Sequence, residues 1–290
     1  MKVEILKPSG YCYGVDNAIK LAYKAKEENK NNTIYILGML VHNVDVVKKL
    51  LESNIKTVFD KNKTLQELIK AIPDYSVIIF TAHGHDEKLD EIAKNKHLKI
   101  YDAVCLNVLT SFKKIKDKIK NGHQVIYIGI KGHPETVAAL SIDKNVFLYD
   151  KNEIFDYTKI NDPQAYVINQ TTLNYLELEK LHTEIKKHIP LVEIENEICP
   201  ITRLRQSAIK KIESDVDLII VVGDIHSSNT LRLYEIAKTT HPYIETIKIA
   251  NLNELDDNFL KNKKHIVISS GASTPKETIE EIYQYAINFD

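Results

Sequence analysis

Cys12, Cys105 and Cys199 stand 93 and 94 residues apart, dividing a chain of 290 residues into thirds that each offer one thiol. Such spacing predicts three similar units that present their thiols to a shared centre. Any disulfide scheme would leave one of three cysteines over, and no secretory segment precedes Cys12, so a disulfide framework fits poorly. Two readings stay open on the cysteines alone. They are small buried apolar side chains, or they are thiolates around a metal or iron-sulfur centre.

The surroundings of the thiols repeat. A short strand-like stretch precedes each: Val3 to Leu6, Lys99 to Tyr101, and Val192 to Ile194. A helical pattern follows each, with Val15, Ala18, Ile19, Ala22 and Ala25 spaced by three and four after Cys12. A cysteine at a strand-to-helix junction meets backbone N–H groups and a positive helix end, which favour the thiolate. A second apolar run appears in every third, over Ile34 to Leu40, Gln124 to Ile130 and Leu218 to Gly223. Polar loops follow these runs at Val41-His42-Asn43, Gly132-His133-Pro134-Glu135 and His226-Ser227-Ser228-Asn229. Their members His42, His133 and Ser227 lie 30, 28 and 28 residues after the cysteines.

A further apolar run closes each unit, at Val77 to Phe80, Ala165 to Ile168 and His265 to Ile268. The loops behind them read Ala82-His83-Gly84, Gln170-Thr171-Thr172 and Gly271-Ala272-Ser273-Thr274-Pro275. Strands alternating with helical patterns predict an α/β protein with mainly parallel sheets, whose ligands bind beyond the carboxyl ends of the strands. Nine loops are thereby expected to converge on one pocket. The expected units are 13–105, 106–199 and 200–290, the last completed by the N-terminal strand within 1–12.

Composition excludes more than it assigns. With 39 basic and 40 acidic residues the net charge is −1, so no global field recruits nucleic acid. The lysines between 113 and 120 and between 261 and 264 alternate with other residues as solvated helix faces and turns do. No apolar run approaches the roughly 20 residues a membrane helix requires. The expectation is a cytoplasmic protein, or one of a plastid-type stroma after loss of a leader, with neither nucleic acid nor membrane as partner.

Three thiolates suit two chemistries. Structural zinc takes four ligands, usually with closely paired cysteines that this chain lacks, although a Cys3His site using a loop histidine stays open. A [4Fe-4S] cluster held by three cysteines leaves one iron without a protein thiolate, able to act as a Lewis acid and to pass electrons.

Taken together, Gly10-Tyr11-Cys12-Tyr13-Gly14-Val15-Asp16, Val41-His42-Asn43, Ala82-His83-Gly84, Asp102-Ala103-Val104-Cys105, Gly132-His133-Pro134-Glu135, Gln170-Thr171-Thr172-Leu173, Ser227-Ser228-Asn229 and Gly271-Ala272-Ser273 resemble the 4-hydroxy-3-methylbut-2-enyl diphosphate reductase family. The resemblance runs over nearly the whole chain, in order. It implies a trefoil: three small α/β domains arranged pseudo-threefold around a central iron-sulfur site, where an allylic diphosphate loses its hydroxyl to give isopentenyl and dimethylallyl diphosphates. Cys12, Cys105 and Cys199 would hold the [4Fe-4S] cluster, whose open iron takes the substrate hydroxyl. A ferredoxin, flavodoxin or flavin-linked reductase would supply the electrons.

The same resemblance assigns roles to the loops. Glu135 would be the proton donor, because hydroxide leaves poorly without an acid in reach. Burial and a nearby negative cluster would raise its pKa. Thr171 would link that acid to the substrate oxygen, with Thr172 beside it, and His133 would orient substrate. His42 and His83 would bind the diphosphate together with Ser227, Ser228, Asn229 and Ser273. The chain departs from the family at Val104 and Leu106 around Cys105, and at Pro200 to Arg203 after Cys199, while keeping Thr202 and the Arg205-Gln206 pair. A cluster-bearing redox sensor, a cluster-dependent dehydratase and a structural zinc protein are the alternatives. The first has no need of Glu135 and Thr171, and the second needs no external electrons.

Overall fold

The computed structural model describes residues 1–41, 43–150 and 152–289, with the backbone alone at 176. The chain runs β1 (Lys2–Ile5), α1 (Tyr13–Glu28), β2 (Ile34–Leu37), α2 (Val44–Glu52), β3 (Ile55–Val58), α3 (Leu65–Ala71), β4 (Val77–Phe80), α4 (Lys88–Asn95) and β5 (Lys99–Asp102). It continues through α5 (Leu106–Lys120), β6 (Val125–Gly129), α6 (Pro134–Ser141), β7 (Val146–Asp150), β8 (Tyr166–Asn169), α7 (Tyr175–His188) and β9 (Glu193–Ile194). Then follow α8 (Pro200–Lys210), β10 (Leu218–Val222), α9 (Ser228–Thr240), β11 (Glu245–Ile249), β12 (His265–Ser270) and α10 (Lys276–Ile287). Among the described residues no helix is long and apolar enough to cross a membrane.

The strands form three four-stranded parallel sheets, ordered β3-β2-β4-β5, β7-β6-β8-β9 and β11-β10-β12-β1. All three share one winding order, and in the last the fourth place is taken by the N-terminal strand, whose Lys2 and Ile5 face His265 and Ile268. By backbone contacts the chain divides into two compact units. One comprises Met1–Tyr13, Val41–Val44 and Cys199–Asp290, and the other Gly14–Leu40 and Asp45–Ile198, the latter holding two of the sheets.

The six inner strands are runs such as Val-Ile-Ile-Phe (β4) and Leu-Ile-Ile-Val-Val (β10), buried on both faces as a parallel sheet between helix layers requires. Apolar clusters accordingly lie on either side of the β10 sheet, one around Ile220 and Ile268 and one around Val221 and Leu233. Sequence periodicity found these strands, together with those that precede the cysteines. It overlooked three edge strands: β7, the apolar Val-Phe-Leu-Tyr-Asp, and β3 and β11, whose sequences Ile-Lys-Thr-Val and Glu-Thr-Ile-Lys-Ile mix in polar residues. Half of an edge strand faces water, so its sequence is diluted with polar residues and resembles loop.

Glycine lets helices approach the strand ends. A Cβ on Gly129 would sit 2.5 Å from Thr136 Oγ1, and one on Gly223 would sit 2.4 Å from Thr230 Oγ1. Thr136 and Thr230 are each the third residue of their helices, α6 and α9. Two sheets thus use the same glycine–threonine contact to press a helix N-terminus against the strand before it.

Candidate active site

The acid expected at 135 is built into the start of α6. His133 caps this helix, its Nδ1 accepting from the Glu135 N–H at 3.2 Å, and Pro134 supplies a first-turn residue that needs no N–H partner. Because Nδ1 accepts, the neutral His133 ring carries its proton on Nε2 and is a donor from that side. The His83 ring meets that of His133 edge-on, with centroids 5.5 Å apart.

Glu135 is 1% exposed. Its Oε1 accepts from the Thr171 N–H at 2.8 Å and the Tyr127 hydroxyl at 3.1 Å, and its Oε2 accepts from Thr171 Oγ1 at 2.9 Å. Burial pushes the carboxyl up to about 7 against these three hydrogen bonds, which favour its ionised form. Thr171 is fixed by its neighbours. Gln170 Oε1 accepts from the Ile130 N–H and from Thr136 Oγ1, and Gln170 Nε2 donates to Thr172 Oγ1 at 2.8 Å. The arrangement is a buried acid poised near neutrality with one hydroxyl on its open side, which can hold and deliver a proton.

Cys105 caps α5 and donates its N–H to the Ala82 carbonyl at 3.1 Å. Its side chain packs on the apolar cluster that contains Val108, Phe112 and Tyr127. Val104 packs on the same cluster and Leu106 is 64% exposed, so the family departures here fill a core edge and a surface position.

In the unit containing the N-terminus, Cys12 directly precedes α1 and Cys199 caps α8. The Cys12 N–H donates to the Ala272 carbonyl at 3.0 Å, the counterpart in another sheet of the Cys105–Ala82 bond. Arg205 is 1% exposed, and its guanidinium donates to the carbonyls of Ser270, Gly271 and Gly10 and to Ser270 Oγ. Among the described residues its Nε has no partner; burial lowers the guanidinium pKa, and ionised thiols at Cys12 and Cys199 would oppose that shift.

The N-terminus of α9 gathers the other residues expected to bind anions. Ser227 caps the helix, its Oγ accepting from the Thr230 N–H at 3.4 Å, and Ser273 Oγ lies 3.5 Å from it. Asn229 is 6% exposed, yet neither its Oδ1 nor its Nδ2 has a partner, and Ser228 Oγ is likewise buried without one. Buried polar groups left unsatisfied beside open helix N–H groups are what an anion would complete. Of the candidates, His83, Cys105, His133, Glu135, Thr171 and Thr172 fall in one compact unit, and Cys12, Cys199, Ser227, Ser228, Asn229 and Ser273 in the other. His42 lies outside the described residues.

Residues 3–286 match the family described as LytB protein. The chain belongs to the LytB family. Among its relatives, a 4-hydroxy-3-methylbut-2-enyl diphosphate reductase of Malacoplasma penetrans is 37% identical over 281 residues, covering 95% of this chain and 93% of that protein. The Brevibacillus brevis protein of the same description is 37% identical over 292 residues, covering 100% and 93%. Of solved structures, the E-1-hydroxy-2-methyl-but-2-enyl-4-diphosphate reductase of Plasmodium falciparum superposes with a TM-score of 0.86 at 27% identity, covering 98% of this chain and 87% of that one.

The donor set suits the iron-sulfur cluster expected of this LytB chain. Each cysteine stands at the start of a helix, and Arg205 is a buried cation that donates to carbonyls and a hydroxyl. A buried charge needs an opposite one, and an anionic group on Cys12 and Cys199 supplies it. Among the described residues, no three His, Cys, Asp or Glu side chains gather closely enough to hold a single metal ion. A cluster brings bridging sulfides of its own and is not held to that spacing.

The sequence reading gave no role to two participants, Tyr127 and Arg205, the latter named only as one of a pair kept from the family. Tyr127 lies within the apolar run Val-Ile-Tyr-Ile of β6, where a phenol looks like any other core side chain. Arg205 had a legible signal: the buried stripe of α8 is Thr202, Arg205, Gln206 and Ile209, so helical spacing places three polar residues where apolar ones belong.

Proposed function

We propose that this chain reduces 4-hydroxy-3-methylbut-2-enyl diphosphate to isopentenyl and dimethylallyl diphosphates, with a [4Fe-4S] cluster on Cys12, Cys105 and Cys199. The net change takes two electrons and two protons, breaks the allylic C–O bond and releases water. When bound, the cluster supplies Lewis acidity and single-electron transfer. Each sheet with its helices is read as one of three repeats, the third completed by β1.

The remaining work falls to this chain's side chains. Glu135 holds the proton that the departing hydroxyl needs, and its pKa of about 7 keeps a large fraction protonated at neutral pH. Thr171 Oγ1, 2.9 Å from Oε2, passes that proton outward, since a hydroxyl accepts and donates at once. His133 presents Nε2–H to substrate beside His83. Ser227, Ser228, Asn229 and Ser273, with the N–H groups opening α9, bind diphosphate oxygens, as do His42 and His83, while Thr172 helps to line the substrate. The low-potential electrons come from a ferredoxin, flavodoxin or flavin-linked reductase, which is consistent with a cytoplasmic or stromal enzyme.

The observation that carries this reading is the buried Glu135–Thr171 pair, which neither a redox sensor nor a structural zinc protein requires. The test is anaerobic iron and sulfide analysis coupled to reduction of the allylic diphosphate by a chemical donor. About four iron and four sulfide per chain with turnover support it. A colourless zinc protein, or a brown one that leaves the substrate untouched, overturns it.

A further inference from the structure

Among the described residues, the carboxyl of Glu135 has an asymmetry that the proton-donor role alone does not explain. Its two oxygens are not equivalent: Oε1 receives two donors, the Thr171 N–H and the Tyr127 hydroxyl, whereas Oε2 faces only Thr171 Oγ1. A carboxylate oxygen offers about two lone-pair positions, so Oε1 is full. A backbone N–H cannot turn round to accept. The Tyr127 hydroxyl can rotate, but its ring is wholly buried in an apolar cluster with Val108, Phe112, Ile115, Ala138 and Ile168.

We propose that Tyr127 is a positioning residue for Glu135, which by occupying Oε1 confines the transferable proton to Oε2. This rests on Glu135 being the proton donor. The consequence is a single route. With Oε2 protonated, Thr171 Oγ1 accepts from it, and the threonine's own hydrogen is turned to the substrate side. On transfer, the Oε2–H bond breaks as a new O–H bond forms on Oγ1. The hydroxyl hydrogen of Thr171 leaves for the departing oxygen, which becomes water. Glu135 is left as a carboxylate, met by the Thr171 N–H, Thr171 Oγ1 and Tyr127.

The surroundings keep Tyr127 in that role. Burial and the neighbouring carboxyl push its phenol well above 10, so it remains a donor throughout. Among the described residues, Cys105 is the titratable group packed on the same apolar cluster as Tyr127. From α5 come Val108, Phe112 and Ile115, while Lys114 is turned to Glu195 and Glu197. From β7 comes Val146, and the hydroxyl of Tyr166 on β8 goes to Glu195. His133 Nδ1 accepts from the Glu135 backbone N–H.

The test is Tyr127→Phe in the cluster-loaded enzyme, measured across pH with the chemical donor. Phenylalanine removes a donor to the ionised carboxylate, so the Glu135 pKa rises and the alkaline limb of kcat/KM moves up by about one unit. At neutral pH kcat falls, KM for the diphosphate stays unchanged, and the infrared carboxyl band titrates with the same shift. A fluorotyrosine placed at 127 alone keeps the volume and strengthens the donor, and moves the limb downward. An unmoved limb in both variants, with cluster and fold retained, overturns the proposal. The donor role itself is checked apart, by Glu135→Gln and Thr171→Val. If those stay active, that reading falls; if they are dead while the limb of Tyr127→Phe stands still, only the assignment of Tyr127 falls.

Discussion

The guanidinium of Arg205 donates to the carbonyl oxygen of Gly10, tying α8, which starts at Cys199, to the segment that leads into Cys12. With its bonds to Ser270 and Gly271, this one side chain fastens α8 to the end of β12 as well as to the turn after β1. Arg205→Met leaves buried carbonyls without donors, at about 1 to 3 kcal/mol each. The expected result is a loss of about 3 kcal/mol or more in denaturant melts and less than full iron loading. Arg205→Lys keeps the charge but not the fork, and recovers part of the iron only.

Glu135→Gln is expected to cost about two to four orders of magnitude in turnover while keeping iron content, checked in an anaerobic assay. It carries a stability signature too. The folded pKa of about 7 lies above the 4.5 of an ordinary glutamate, so the native state binds the extra proton and stability falls as pH rises from about 4.5 to 7. At about 1.4 kcal/mol per unit, this reaches about 3 kcal/mol at pH 8. Melts of wild type against Glu135→Gln diverge above pH 5 in favour of the glutamine and converge below.

Asn229 gives a prediction of opposite sign for stability and function. Its buried, unpartnered amide already bears a desolvation cost, so Asn229→Ala leaves the ligand-free melting temperature unchanged or higher. KM for the diphosphate rises about tenfold or more, and the stabilisation by added inorganic pyrophosphate shrinks.

Gly84 follows His83 at φ +82°, and a Cβ there would lie 2.5 Å from the Phe112 ring. Gly84→Ala is therefore expected to lose about 1 to 3 kcal/mol and to raise KM by displacing the histidine. Calorimetry with a substrate titration checks both.

Leu106 makes the departure from the family testable. It opens α5 and is exposed, Cys105 before it is extended at φ −65° and ψ 137°, and the equivalent helix α8, which follows Cys199, begins with Pro200. Leu106→Pro should be neutral or stabilising by up to about 1 kcal/mol in a thermal melt, with activity kept.

The repeat was legible because buried parallel strands leave long apolar runs and because one cysteine marks each fourth strand. The edge strands β3 and β11 were illegible for the opposite reason: water on one side lets Lys56, Thr57 and Lys248 in. At the site, sequence indicated Glu135 through the His-Pro that precedes it, yet its burial depends on β8, more than thirty residues away. The clash-tight contacts of Gly129 with Thr136 and Gly223 with Thr230 likewise join positions that local pattern cannot connect.

The pairing of β1 with β12 sets an order of events in biosynthesis. Ile5 pairs with Ile268, so the strand before Cys12 is made long before its neighbour exists. Until β12 has been made, the turn that carries Cys12 has no sheet to anchor it, so the address of this thiol is settled late.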